Sequence, residues 1–144
     1  MRHSVFHGAL TLGLMLSISA AHRLRAEELA PEYQAAIKKG LEWVAKQQHR
    51  DGHWEANGGQ YPSPMTALGG MVLLMEGSTL REGKYSDNLR RAVDWLSERS
   101  QRNGLLANPN NAAEAGRYMY GHGFATLFLA QVYGEEEDND RRRK

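Results

Sequence analysis

Histidine and carboxylate side chains are the groups that could carry acid–base or metal chemistry in this chain, which contains no cysteine. His49 and His53 are four residues apart, the spacing of two metal ligands on one face of a helix. Gly52 lies between them and is expected to end that helix, and no third ligand is evident. We therefore interpret the two histidines as a loop pair and predict no metal site and no cofactor.

Another histidine, His122, lies between Gly121 and Gly123 in a segment that also contains Tyr120 and Phe124. At the start of a helix it could face a concave surface with its aromatic neighbours and bind a ligand or move a proton. The alternative, which we favour, is a helix-start residue whose neighbouring glycines permit close packing. Tyr120, His122 and Phe124 are thus candidate binding residues, and no residue is predicted to be catalytic.

The carboxylates close to apolar segments do not suggest an acid–base pair. Cleavage of a glycosidic bond needs two carboxylates that face each other across a cleft. None of Glu55, Glu76, Glu82 and Glu114 has a spacing that recommends such a pair. A piece of a carbohydrate-active (α/α) barrel remains an alternative, with Glu55 and Glu114 as the residues to test.

The helices that must position these residues are indicated by apolar periodicity. Segments at about Glu32–Gln48 and Asp87–Arg99 carry an apolar stripe among charged residues, which predicts amphipathic surface helices; Ser86 is the predicted N-cap of the second. Thr66–Gly77 and His122–Gly134 are apolar almost all round and too short to span a bilayer, which predicts interior helices. The sequence therefore predicts an all-α protein with a polar outer layer and an apolar inner layer.

The two amphipathic segments align with each other at a fixed offset, which indicates an internal repeat. The matched residues are Ile37, Lys39, Leu41, Trp43, Val44, Gly52 and Trp54 in the first copy and Leu89, Arg91, Val93, Trp95, Leu96, Gly104 and Leu106 in the second. We predict one repeat domain at 31–134, with repeats at about 32–77 and 86–134. A solvated, charged tail at 135–144 follows it.

The first repeat contains a pattern of several residue types at fixed spacings. A basic residue and a glycine precede Trp43, an aliphatic residue follows it, Gln48 comes four residues later, and Gly52 and Trp54 complete the pattern. It resembles the QW motif of the squalene/hopene cyclase and protein prenyltransferase superfamily, whose members are α/α toroids. The resemblance covers about residues 31–134, and the segment 120–127 resembles the start of an inner helix in that family.

The second repeat departs from the motif. Trp95 and Gly104 are kept, but Ser100 replaces the glutamine and Leu106 replaces the last tryptophan. In the family the motif is a structural staple between neighbouring hairpins, so the resemblance implies a partial α/α toroid of two helix-hairpin repeats. The Asp-x-Asp-Asp acid motif of the cyclases is absent from the repeats, and the zinc and thioester sites of related toroids need cysteine. We therefore predict no cofactor.

The toroids of that family contain more hairpins than two, so the interior helices here are expected to lack neighbours. Such an open arc would expose an apolar patch of the kind that marks an interface. The chain would then self-associate or bind a protein partner that completes the ring, bind an apolar ligand, or be a truncated remnant. A non-catalytic binding module is the main hypothesis, and a terpene cyclase or prenyltransferase active only as an assembled toroid is the alternative.

The first residues predict export. Arg2, His3 and His7 precede an apolar run at 9–18 and a small-residue site that ends at Ala21, which is typical of a secretory signal at 1–21. We expect a secreted or periplasmic protein without a membrane span after cleavage. The signal and repeats together resemble planctomycete-type secreted prenyltransferase/squalene-oxidase repeat proteins. A net charge of +1 gives no electrostatic case for nucleic acid.

Overall fold

The computed structural model describes residues 29–114 and 116–136, so the predicted signal segment and most of the charged tail lie outside the described residues. Four helices make up the fold: α1 (Pro31–Lys46), α2 (Pro62–Met75), α3 (Ser86–Ser97) and α4 (Tyr118–Glu135). The described residues form no β-strand, only isolated bridges at Ala56–Gln60 and Ser100–Leu106. This confirms the predicted all-α class, with two helix hairpins as in a partial α/α toroid.

The helix starts differ in part from the predicted ones. α1 and α2 begin at Pro31 and Pro62, in the first helical turn, where the missing N–H of proline has no cost. The prediction that Ser86 caps α3 is wrong, because Ser86 is already helical and its hydroxyl donates to the carbonyl of Gly83 (2.8 Å). α4 begins at Tyr118, one turn earlier than predicted.

α2 is the central element, since it packs against each of the other three helices. A Cβ on Gly70 would lie 2.5 Å from the ring of Phe128, and one on Gly121 would lie 3.0 Å from Ser63. The N-terminal part of α2 therefore meets the N-terminal part of α4, and their later turns meet in the same order. The two inner helices run parallel at short range.

The core forms where α2, α3 and α4 meet. Leu73 of α2 and Phe128 of α4 are fully buried, as the interior-helix prediction requires. Leu89 and Leu96 supply the buried stripe of α3. α1 contains no buried residue and packs against α2 through the half-buried side of its helix, so the outer layer is closed more tightly in the second repeat than in the first.

Both repeats contain the same turn after their outer helix. In each, the N–H of the first turn residue donates to the carbonyl of the last, over 2.8 Å at 49–53 and 2.9 Å at 101–105. Gly52 and Gly104 hold the same place in it, with φ of 103° and 84°. α1 has already ended at Lys46, so Gly52 shapes the turn rather than ending the helix.

The predicted boundary of the charged tail does not match the structure. Glu135 is the last residue of α4, and Glu136 is buried, with Oε1 3.9 Å from Nε of Arg81. The first two residues of the predicted tail therefore belong to the folded domain.

The close packing of α2 on α4 predicts opposite changes in stability for alanine at two glycines. Gly70→Ala should destabilise the protein by about 1–3 kcal/mol, because the new methyl group meets the fully buried Phe128 ring. Gly123→Ala, on the exposed side of α4 with nothing within 4 Å, should stabilise it by about 0.5–1 kcal/mol through helix propensity. Urea unfolding of both variants checks this, and stabilisation by both would contradict the parallel packing described here.

Candidate functional site

Gln48 joins the two repeats through both ends of its side-chain amide. Its Nε2 donates to the carbonyls of Gly52 (2.8 Å) and Asn88 (2.9 Å). Its Oε1 accepts from the side chains of Asn88 (2.7 Å) and Arg91 (2.5 Å). One glutamine thus links the turn after α1 to the first half of α3.

The backbones of the two repeats approach each other closely beside Gln48. A Cβ on Gly52 would lie 2.3 Å from the carbonyl oxygen of Arg91, so only glycine fits between the turn and α3. Trp95, one turn further along α3, donates from its indole nitrogen to Asp51 Oδ2 (3.3 Å). Burial opposes ionisation of Asp51, but hydrogen bonds from His53 and Trp95 lower the pKa of this carboxyl below its ordinary value. We call the contact of residues 48–53 with α3 the repeat joint.

Trp54 lies between the two helices of the first hairpin and contacts both. Its indole nitrogen donates to the carbonyl of Val44 (2.7 Å), a carbonyl of the last turn of α1. Its ring packs against Gly69, where a Cβ would lie 2.8 Å from the ring, and its backbone N–H donates to Thr66 Oγ1 (3.0 Å). Trp54 therefore fixes α1 on α2 within the first hairpin.

Trp43 and Trp95 hold the same place in the two repeats but have different surroundings. Trp95 is 4% exposed, and it stacks on His53 and lies under the guanidinium of Arg99. Trp43 is 63% exposed. The turn of the preceding repeat buries the second tryptophan, and within the described residues no repeat precedes the first.

His122 does not lie with Tyr120 and Phe124. Its Nδ1 accepts from the backbone N–H of Leu106 (3.2 Å), on the side of α4 that faces the outer layer. Thr66 does the same for Trp54 in the first repeat, and Leu106 is the counterpart of Trp54. His122 thus has a packing role that matches that of Thr66. Of its two glycine neighbours only Gly121 permits a close approach, since nothing lies within 4 Å of a Cβ on Gly123. Binding of a ligand at His122 stays a prediction.

Each inner helix exposes an apolar stripe, and we call the two stripes together the open face. Leu68, Val72 and Met75 of α2, and Tyr120, Phe124 and Leu127 of α4, are all exposed. Each set has the spacing i, i+4, i+7 and forms one stripe. On α4 the stripe lies opposite His122, which faces the outer layer. On α2 the stripe lies opposite Gly70, on the flank away from α4 and about 90° around the helix from Gly69.

The buried carboxylate of Glu114 serves the fold. Its Oε1 accepts from the backbone N–H (3.2 Å) and hydroxyl (2.5 Å) of Ser63 in the first turn of α2. Its Oε2 accepts from the N–H of Asn108 (2.7 Å). A carboxylate at a helix N-terminus is favoured by the helix dipole, so Glu114 caps α2 from the loop that leads into α4. The sequence pattern did not reveal this role, because the partners are distant along the chain.

Glu55 lies next to the histidine pair. One of its carboxylate oxygens is 3.8 Å from His49 Nε2, and the other is 3.4 Å from His53 Nε2. The prediction that the pair has no third potential ligand is therefore wrong. Glu55 lies two residues beyond His53, in an extended segment after the turn, a geometry that helical spacing cannot indicate.

A groove of about 670 Å³ separates α3 from α4 at the edge of the second repeat. Leu80, Val93 and Leu129 contribute apolar atoms to it, while Arg90 and Asp94 contribute charged groups. Its mixed lining differs from the apolar open face. None of the helices in the described ranges is long and apolar enough to cross a bilayer.

Comparison with known proteins supports a distant relationship to the squalene cyclase group. Over 109 residues, 76% of this chain, the sequence is 28% identical to lanosterol synthase from Homo sapiens. The chain spans 15% of the length of that protein. No protein-family model matches the chain, and no solved structure matches it. With the four-helix fold, the similarity supports a squalene-cyclase-like repeat module.

The repeat joint predicts unequal effects at two equivalent glycines. Gly52→Ala and Gly104→Ala both force an L residue into positive φ, which costs about 1–2 kcal/mol. Only Gly52→Ala also drives a methyl group into the Arg91 backbone, whereas the space around Gly104 is open. We expect Gly52→Ala to reduce the unfolding free energy by clearly more than Gly104→Ala does. Equal losses in urea unfolding would show that the close approach at the joint contributes nothing.

Proposed function

We propose that this chain is a non-catalytic, exported repeat module that binds an apolar partner through its open face. The observation that carries the proposal is the exposure of two parallel apolar stripes, on Leu68–Met75 of α2 and Tyr120–Leu127 of α4. Exposed apolar surface of this kind favours association or binding of an apolar ligand. A protein partner, including a second copy that extends the ring, is the favoured occupant.

The polar groups of the repeats support binding over catalysis. The Glu114 carboxylate is held by Ser63 and Asn108, and His122 accepts from the backbone of Leu106. Both groups stabilise loops and helix starts, and neither points to the open face. The open face itself presents aliphatic and aromatic side chains, which supply contact area and shape rather than acid–base chemistry.

Charge placed on the open face tests the proposal. For the full chain we expect light scattering to give a mass above that of a monomer, and Phe124→Asp with Leu127→Asp to reduce it to the monomer mass, because a buried unpaired carboxylate opposes apolar association. Ala130→Asp, at an exposed position of α4 outside the stripe, is the control and should leave the mass unchanged. A monomer with unchanged mass in all variants, and no binding of an apolar ligand, would refute the proposal.

The similarity to lanosterol synthase favours a second candidate, an enzyme of the terpene-cyclase or prenyltransferase type that is active only when assembly completes the toroid. Incubation of the purified protein with squalene tests it. Cyclised product that disappears in the Phe124→Asp/Leu127→Asp variant would support the enzyme, since assembly would be needed for activity. No conversion, with or without added zinc, would remove it.

A further inference from the structure

Two imidazoles and a carboxylate converge beside the repeat joint. His49 and His53 lie at the two ends of the turn that Gly52 shapes, and their rings stack with centroids 4.2 Å apart and planes 18° apart. Glu55 reaches both rings, at 3.8 Å and 3.4 Å from their Nε2 atoms. One potential ligand atom from each residue lies within 4.8 Å of the other two.

Asp51 orients one of these histidines. Its Oδ1 lies 2.6 Å from Nδ1 of His53. Since a carboxylate only accepts, Nδ1 carries the hydrogen and donates a hydrogen bond to Asp51. In the neutral ring Nε2 then keeps its lone pair free for a ligand bond, and it lies 3.4 Å from Glu55 Oε2. Histidines that bind metals ordinarily make this contact from their other ring nitrogen, and it fixes the tautomer and raises the basicity of the ligand.

We propose that His49, His53 and Glu55 bind a divalent transition-metal ion of the zinc type. A tetrahedral site with bonds near 2.1 Å separates its ligand atoms by about 3.4 Å, close to the distances that Glu55 makes here. His49 is the most exposed of the three, so its ring is free to tilt toward the ion. Imidazole and carboxylate together suit zinc, nickel and copper rather than magnesium or calcium. Three protein ligands leave one position for water or another donor.

The site is built into the contact between the repeats. The His53 ring stacks on Trp95 of α3, with centroids 5.2 Å apart, and Asp51 accepts from the indole of the same residue. A bound ion would hold the 49–55 segment in the conformation that packs on α3. Metal binding is therefore coupled to the stability of the joint, and the midpoint of thermal unfolding should rise with zinc concentration.

Calorimetric titration of the metal-free full chain with zinc chloride tests the proposal. We expect binding at this site to be lost in Glu55→Gln and His53→Ala, and Asp51→Asn to weaken it tenfold or more through the lost orientation of His53. His122→Ala is the matched control, because that histidine lies on α4 and is not part of the cluster, and this variant should bind zinc like the parent. Magnesium should not compete.

Thermal unfolding with and without zinc supplies a second measurement. Glu55→Gln keeps the shape of a half-exposed side chain and is expected to fold, so it stays informative if His53→Ala does not. Zinc should raise the unfolding midpoint of the parent and of His122→Ala but not that of Glu55→Gln. If Glu55→Gln keeps the zinc affinity and the stabilisation of the parent, or if the parent shows neither, the cluster is an imidazole held between two carboxylates and the proposal fails.

Discussion

Two neighbouring glycines on α2 set the geometry of the protein. Gly69 receives the ring of Trp54 and Gly70 receives the ring of Phe128, each at a distance that leaves no room for a methyl group. The contact of Gly69 with Trp54 positions α1, because the Trp54 indole donates a hydrogen bond to the last turn of that helix. The contact of Gly70 with Phe128 positions α4. One short segment of α2 is therefore flanked by an aromatic ring on each of two sides, and these contacts set how closely α1 and α4 approach it.

The same constraint determines what remains exposed. The small and buried residues of α2 face its neighbours, so its larger aliphatic residues Leu68, Val72 and Met75 lie on the opposite side. α4 has a similar arrangement, with Phe128 fully buried and Leu127, about 100° around the helix, exposed. Within the described residues nothing covers these side chains. The apolar surface is exposed because each inner helix is apolar on nearly all sides but has packing neighbours on only some of them.

Much of the architecture could be predicted from the sequence, because period and repetition are local signals. The four helices, the repeat offset and the burial of Leu73 and Phe128 agree with the structure. Contacts between segments that are distant along the chain could not be predicted from these local signals. The cap that Glu114 places on α2, the approach of Glu55 to two histidines, and the role of His122 all depend on how loops fold back. For His122, the equivalent position of Thr66 in the first repeat was the one sequence feature that could have indicated a packing role.

The contrast between Trp43 and Trp95 shows that this tryptophan of the motif acts between repeats, whereas Trp54 acts within one. Both tryptophans follow the same pattern, yet only Trp95 is buried, because Asp51 and His53 of the preceding turn cover it. Each repeat thus contributes to two contacts. Its turn packs on the outer helix of the next repeat, and the tryptophan of its outer helix packs under the turn of the previous repeat. Since Ser100 replaces Gln48 in the second turn, that turn lacks the side-chain amide that joins the two repeats at the repeat joint.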